Sequence, residues 1–248
     1  GDEESVAING TKKVVEYFKK KKEKIDFCIV GEPSNRSKLG QMMKVGRRGS
    51  ITTHLTVIGK QGHIAYPLEA LNPATPIIKI LDELKSKALD KGNKNFQPSN
   101  LEITKISIDN SADNVIPAKA SATFNIRYNT LHTFSSLKKY ISKIIKKYEK
   151  KYKCKTQTQF QGTGTAFLTK PNQTVKKIQS IIKKETKQNT VLSTIGGTSD
   201  ARFIKDIAPC IEFGLVGNTM HQVDERSSIK DMKKLKFIYL KIIKSFFN

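Results

Sequence analysis

The sequence predicts an α/β fold interrupted by a small α+β domain, and three observations carry that reading. Short apolar runs towards both ends of the chain, such as 27–30 and 211–214, stop at polar or glycine residues and alternate with amphipathic stretches of helical spacing. Between them, residues 49–164 change texture, with period-two strands separated by two long amphipathic helices. A chain of 248 residues is long enough for one large or two small domains with a buried core.

Taken in order, Ile8, Val14, Val15 and Phe18 recur at helical spacing, so 9–24 reads as a helix. It feeds a short buried strand over 26–30, after which Glu32 stands ahead of Pro33. Sites in open α/β sheets gather at such carboxyl ends. From Gly49 onward, 51–58 alternates as a strand, 72–86 forms a helix, 101–108 and 120–127 are strands, 135–151 is a second helix, and a last strand precedes Gly162. That order is the split βαβ pattern of a ferredoxin-like domain. The α/β texture resumes at Phe167 with a helix over 175–185, a glycine-rich loop at 196–200 opening a helix over 201–205, a strand at 211–214 and a closing helix over 229–247. Residues 1–48 and 165–248 are therefore expected to form one domain, with 49–164 inserted as a lid.

The formal net charge is +23, from 45 Lys and Arg against 22 Asp and Glu. Clustered basic residues release counterions from phosphate backbones. Here lysine is spread over helical stretches such as 19–24, 138–155 and 233–244, without aromatic interleaving or a nucleic-acid motif. No dedicated nucleic-acid partner is expected, only salt-sensitive adhesion. Solvated helix faces accommodate lysine at little cost, and a positive field also draws in a substrate with several carboxylates. No apolar run reaches bilayer-spanning length and the first residues are acidic, so the sequence predicts a cytoplasmic location and no membrane partner. Cys28, Cys154 and Cys210 are odd in number and widely spaced, and read as reduced thiols.

His221 follows an apolar run and is flanked by polar and acidic residues, the way a metal-binding imidazole is presented. Gly1-Asp2-Glu3-Glu4 and Val30-Gly31-Glu32-Pro33 offer carboxylates from two other segments. Adjacent carboxylates on an extended segment point to opposite sides, so one can ligate metal while its neighbour handles a proton. Plainer readings are a solvated acidic terminus, a polar strand end and a surface histidine. Hard oxygen plus imidazole suits zinc, cobalt or manganese. His63, between Gly62 and Tyr66-Pro67, has no other candidate ligand near it and reads as an oxyanion donor or a turn histidine. Arg47, Arg127 and Arg202 are candidates for substrate carboxylates because a guanidinium presents paired donors. Arg48 and Ser50 stand beside the first, and Gly197, Thr198 and Ser199 offer donors at a helix start, with structural ion pairs as the competing explanation for the arginines.

Seven blocks occur in order: Gly1-Asp2-Glu3-Glu4, Gly31-Glu32-Pro33-Ser34, Gly46-Arg47-Arg48-Gly49-Ser50, Gly62-His63-Ile64-Ala65-Tyr66-Pro67, Asn114-Val115-Ile116-Pro117, Gly196-Gly197-Thr198-Ser199-Asp200-Ala201-Arg202-Phe203 and Thr219-Met220-His221. Together they resemble the M20 family of dinuclear-zinc aminoacylases and carboxypeptidases, and the Arg-Arg-Gly-Ser and Gly-Gly-Thr-Ser-Asp blocks resemble its desuccinylase branch. The resemblance implies a zinc-peptidase-like catalytic domain, incomplete here, with an inserted ferredoxin-like lid that pairs two subunits into a homodimer. It implies a metal-dependent amide hydrolase that cleaves a small anionic N-succinyl amino acid, N-succinyl-LL-2,6-diaminopimelate, for lysine biosynthesis, using two divalent ions, zinc or cobalt. On that resemblance Glu3 is the general base, Glu4 a metal ligand, Glu32 a ligand of the first zinc and His221 of the second. His63 donates to the oxyanion in the partner subunit's active site, and Tyr66 and Asn114 contact substrate.

Two departures stand out. Asp113 occupies a place where that branch has asparagine, adding a negative charge against an anionic substrate. The His-x-Asp motif that supplies one His ligand and the bridging Asp occurs nowhere in the sequence. The resemblance therefore covers the carboxyl-terminal part of a full enzyme, and little activity is expected of these residues alone. Two alternatives are deacylation of another N-acyl amino acid, and a non-catalytic remnant that retains the dimerising lid.

Overall fold

The computed structural model describes residues 7–162 and 164–247. In chain order the elements are α1 (Thr11–Lys21), β1 (Cys28–Val30), β2 (Met42–Lys44), β3 (Gly46–Arg47), β4 (Gly49–Ile58), β5 (Gly62–His63), α2 (Ala74–Ser86), β6 (Asn100–Ser107) and β7 (Val115–Ile116). They continue with β8 (Lys119–Tyr128), α3 (Phe134–Tyr152), β9 (Lys155–Gly162), β10 (Phe167–Leu168), α4 (Gln173–Thr186), β11 (Val191–Ser193), α5 (Ala201–Ile204), β12 (Cys210–Glu212) and α6 (Ile229–Phe247). The chain forms two compact units, Gly1–Arg47 with Phe167–Asn248, and Arg48–Ala166.

In the Arg48–Ala166 unit the four long strands are antiparallel in the order β6-β8-β4-β9. With α2 and α3 between strands this is the split βαβ arrangement. β4 and β8 pair over ten residues, from Gly49 with Tyr128 to Ile58 with Lys119. The period-two pattern decides which face is buried: Ile51, Leu55 and Val57 of β4 and Ala122, Phe124 and Ile126 of β8 point inward. They pack on Ile77, Ile80 and Leu84 of α2 and Leu137, Ile141 and Ile145 of α3. Thr133 caps α3 in a reciprocal box with Ser136. A polar pin holds the loop after α2. Asp90 accepts hydrogen bonds from the backbone N–H of Gly92 (2.6 Å) and Ser99 (3.3 Å) and from Asn129 Nδ2 (2.7 Å), and it faces His132 Nε2 at 3.0 Å. Burial would raise its pKa, but these hydrogen bonds outweigh it and hold the group at about 2.

The other unit has a sheet ordered β1-β12-β2-β11. β1 runs parallel to β12, β2 parallel to β11, and β12 meets β2 antiparallel at a single pair, Glu212 with Lys44. Met43, Ile211 and Phe213 pack against Val175, Ile178 and Ile182 of α4 and Ile238 and Ile242 of α6. Asn172 caps α4 through Val175 N–H. β2 and β11 carry no sequence signal of their own, because three residues are too few to display a period. The strand expected over 211–214 is instead Cys210–Glu212. Beyond it Phe213 and Gly214 bond to Val30 O and Ser34 Oγ, continuing alongside the turn that follows β1. Among the described residues no helix is long and apolar enough to cross a membrane.

Candidate active site

Glu32 follows the carboxyl end of β1 and is partly buried. The turn that carries it is pinned by two buried neighbours. Ser34 Oγ donates to Met42 O at 3.1 Å and accepts from Gly214 N–H. Asn35 Nδ2 donates to Gly214 O at 2.7 Å while Asn35 Oδ1 accepts from Met42 N–H at 2.8 Å. This side-chain bridge joins the extension of β12 to β2 and sets the path of 32–35 beside 214–217, where Asn35 and Val216 form a parallel bridge. A Cβ on Gly217 would lie 2.9 Å from both Pro33 Cβ and Met220 Cε. The residue after Glu32 and the residue before His221 therefore converge on one glycine.

His221 is exposed, sits at φ +59° and donates its backbone N–H to Glu225. Thr219 Oγ1 closes the turn by donating to Arg226 O and accepting from Arg226 N–H, both at 3.1 Å. A carboxylate and an imidazole on adjoining turns are donors of the type that fits zinc. Among the described residues no group of three or more His, Cys, Asp or Glu is placed so that it could hold a metal ion. Glu3 and Glu4 lie outside the described residues.

Arg47, at the end of β3, is buried against Glu212 at the end of β12. Its Nε donates to both carboxylate oxygens at 2.8 and 2.9 Å, its Nη2 also donates to Oε2, and Nη1 donates to Gly197 O at 2.7 Å. Ser199 Oγ donates to Glu212 Oε1. Lys44 completes the group; burial first, and then the charge of Arg47, push its pKa down. The expected picture needs correcting here. Ser199 is 1% exposed with its hydroxyl turned to Glu212, so it braces the loop and is not an open donor. The helix that the loop opens, α5, is a single turn of four residues, so its dipole adds little and any donors from Gly197 and Thr198 are those of the loop itself. Arg47 has taken up the ion pair that competed with its substrate role. Arg202 is half-buried, with its guanidinium 4.7 Å from the Phe203 ring centroid.

In the other unit, Arg48 Nη1 donates to Asn100 Oδ1 at 2.8 Å, and the Gln97 amide, turned over, accepts from Nη1 and Nη2 at 2.9 and 3.2 Å. Burial and then the neighbouring Arg127 push its pKa down, and burial does the same to Arg127. Ser50 is paired with Arg127 across β4 and β8, and its hydroxyl accepts from Asn125 Nδ2 at 2.9 Å. His63 pairs with Val115 between β5 and β7, and Ile64 N–H donates to Asn114 O, which brings Asn114 beside the histidine turn. His63 is exposed and its Nδ1 accepts from Ala65 N–H at 3.1 Å, which puts the ring proton of the neutral imidazole on Nε2. Tyr66 is exposed, with its ring centroid 5.8 Å from that of His63.

Sequence reasoning missed Glu212, Lys44 and Asn35. Glu212 ends an apolar run and its partner lies 165 residues away. The one usable signal is that a carboxylate inside an apolar strand must find a cation.

Residues 45–153 match the family described as the peptidase dimerisation domain of M20 proteins. Over its whole length the chain is 64% identical to a succinyl-diaminopimelate desuccinylase from Pelagibacter ubique (strain HTCC1062), of which it covers 64%. It is 47% identical to the desuccinylase of Phenylobacterium zucineum (strain HLK1) across the full chain, covering 65% of that relative. The chain thus spans just under two thirds of the length of the curated relatives it matches. Among solved structures it resembles a tripeptidase from Staphylococcus aureus subsp. aureus mu50, with 20% identity and a TM-score of 0.76 over 93% of this chain and 59% of that one. The aminopeptidase PepT of Bacillus cereus ATCC 10987 gives 12% identity and a TM-score of 0.76 over 94% of this chain and 61% of that one. These two likenesses establish the α/β fold.

Proposed function

We propose that the chain, homologous along its whole length to succinyl-diaminopimelate desuccinylases, takes part in the same reaction: hydrolysis of N-succinyl-LL-2,6-diaminopimelate to succinate and LL-2,6-diaminopimelate, on the route to lysine. The observation that carries this reading is 64% identity across 247 residues, in a fold where the Glu32 and His221 turns converge on Gly217. Glu32 and His221, with Glu4, are the residues proposed to hold divalent metal, zinc or cobalt. Bound metal supplies polarisation of the amide carbonyl and a more acidic water. Glu3 takes the proton of the attacking water and passes it to the leaving amine nitrogen. His63 donates from Nε2 to the carbonyl oxygen as negative charge develops on it, and Arg48, Arg127 and Arg202 receive the substrate carboxylates. The M20 dimerisation match supports a homodimer, and the reading places the protein in the cytoplasm.

The test is turnover by the whole gene product with zinc, comparing succinyl and acetyl substrates. Glu3→Gln should keep folding and zinc content but lower hydrolysis by about 10²–10⁴-fold, since an amide does not accept the proton. Near-normal turnover in that variant removes the base assignment. A preference for the acetyl substrate moves the protein to the N-acyl amino acid deacylases.

A further inference from the structure

We propose that Glu212 is a positioning residue that fixes the 196–199 loop for substrate through two arms; this deepens the desuccinylase reading and rests on it. One arm is direct: Ser199 Oγ donates to Glu212 Oε1. The other runs through Arg47, whose Nε and Nη2 are held by the carboxylate while Nη1 reaches Gly197 O at 2.7 Å. The two arms attach on either side of Thr198.

Besides the two arms, Ser199 O accepts from Arg202 N–H at 3.1 Å, and the glycines are the permissive part of the loop. Gly196 sits at φ +135°, which side-chain-bearing residues rarely adopt, and a Cβ there would lie 2.4 Å from Arg47 Nη1 and 2.9 Å from Lys44 Nζ. Gly197 is exposed, and a Cβ built on it would meet nothing within 4 Å. Two consecutive glycines with open space on one side carry a high conformational entropy, so a polar clamp sets which conformer dominates.

Buried charge gathers at this loop. Among the described residues the buried charged ones are Lys44, Arg47 and Glu212, and all three meet at this loop. Lys44 feels the carboxylates of Glu212 and Glu32 as well as the guanidinium groups of Arg47 and Arg36, so directed hydrogen bonds, not a net field, set the shape of the loop. Glu212 orients Arg47, and the loop with it, without touching the substrate itself.

The experiment uses the zinc-loaded whole gene product with Glu212→Gln and Ser199→Ala. Glu212→Gln keeps the shape but removes the charge that binds Arg47, and Ser199→Ala cuts the direct arm alone. In Glu212→Gln, KM for succinyl-diaminopimelate should rise about tenfold while kcat stays within about twofold and bound zinc is unchanged. Amides of 196–199 should exchange about tenfold faster, with β2 and β12 amides unaffected. Ser199→Ala should show the same pattern to a smaller degree. If Glu212→Gln fails to fold, Ser199→Ala carries both measurements. An unchanged KM, or a lowered Tm with loop exchange as in the parent, overturns the proposal and leaves Glu212 a structural ion. If the parent does not turn over the substrate, the desuccinylase reading fails on its own, and exchange at 196–199 still decides: unaltered exchange in the variants refutes the clamp.

Discussion

Arg47 and Arg48 are adjacent in sequence and opposite in electrostatics. Arg47 is buried against Glu212, with one edge of its guanidinium closed by a carboxylate. Arg48 is half-buried, its polar partners are the amides of Asn100 and Gln97, and the charge that acts on it is another arginine, Arg127. Its Nε is buried without a hydrogen-bond partner among the described residues. The difference separates two jobs that sequence alone leaves merged. A neutralised buried cation belongs to the scaffold, because stripping its partner leaves an uncompensated charge. Arg48 and Arg127, which have no ion pair with a carboxylate among the described residues, are the pair proposed for a ligand that arrives negative.

The largest effect that could break this comparison is on stability. Arg47→Met should cost about 3 kcal/mol, because Glu212 is then a buried charge that has lost its ion pair and keeps only the Ser199 hydroxyl and the more distant Lys44, whereas Arg48→Met should cost less than about 1 kcal/mol and relieves a like-charge interaction. Urea unfolding followed by circular dichroism checks this, since the chain has no tryptophan to report on folding. Equal losses in the two variants would make Arg48 as structural as Arg47.

A smaller effect sharpens the contrast between neutralisation by charge and by hydrogen bonds. Among the described residues Asp90 forms no ion pair with lysine or arginine; with His132 Nε2 3.0 Å away, its bonds from Ser99, Gly92 and Asn129 hold its pKa at about 2, below the ordinary 3.8. A depressed acid contributes stability that is fully present above its unfolded pKa and disappears as pH falls through the folded one. The Arg48–Ala166 unit should therefore lose about 2 kcal/mol between roughly pH 4 and pH 2 on this account. Asp90→Asn should flatten that part of the pH profile, measured as the urea midpoint at a series of pH values. A profile that keeps its full slope in the variant would mean other acids carry the dependence.

How much was legible follows from element length and from where partners sit in sequence. β4 and β8, ten residues each, display their period plainly, and α2 and α3 run long enough for the 3.6-residue pattern to appear. β2, β11 and β12 are three residues each, and their pairing is decided by tertiary packing under α4 and α6. The site divides the same way. Glu32, just past β1, and His221, in the turn region between β12 and α6, lie in loops inside short motifs, which is why motif reading singles them out. Glu212 and Asn35 act from inside the packing: one closes a pair with Arg47 and the other bridges to Gly214, 179 residues away. Ser199 was visible as a polar residue in a glycine loop, but its direction was not, because that depends on a carboxylate brought in by a different strand.

The smallest expected effect concerns the ligand that the uncompensated pair would receive. Succinate is a fair probe, being a dicarboxylate and one of the two proposed products. Arg48→Met and Arg127→Met should each weaken its binding about tenfold, the scale of one charge-assisted pair, and binding to the parent should fall as salt is added. Both variants should keep the parent's urea midpoint to within about 1 kcal/mol, because neither removal orphans a carboxylate. Isothermal titration at two salt concentrations makes the measurement. Unchanged succinate affinity together with a lowered midpoint would place Arg48 and Arg127 in the scaffold beside Arg47, and the distinction between the neighbouring arginines would collapse.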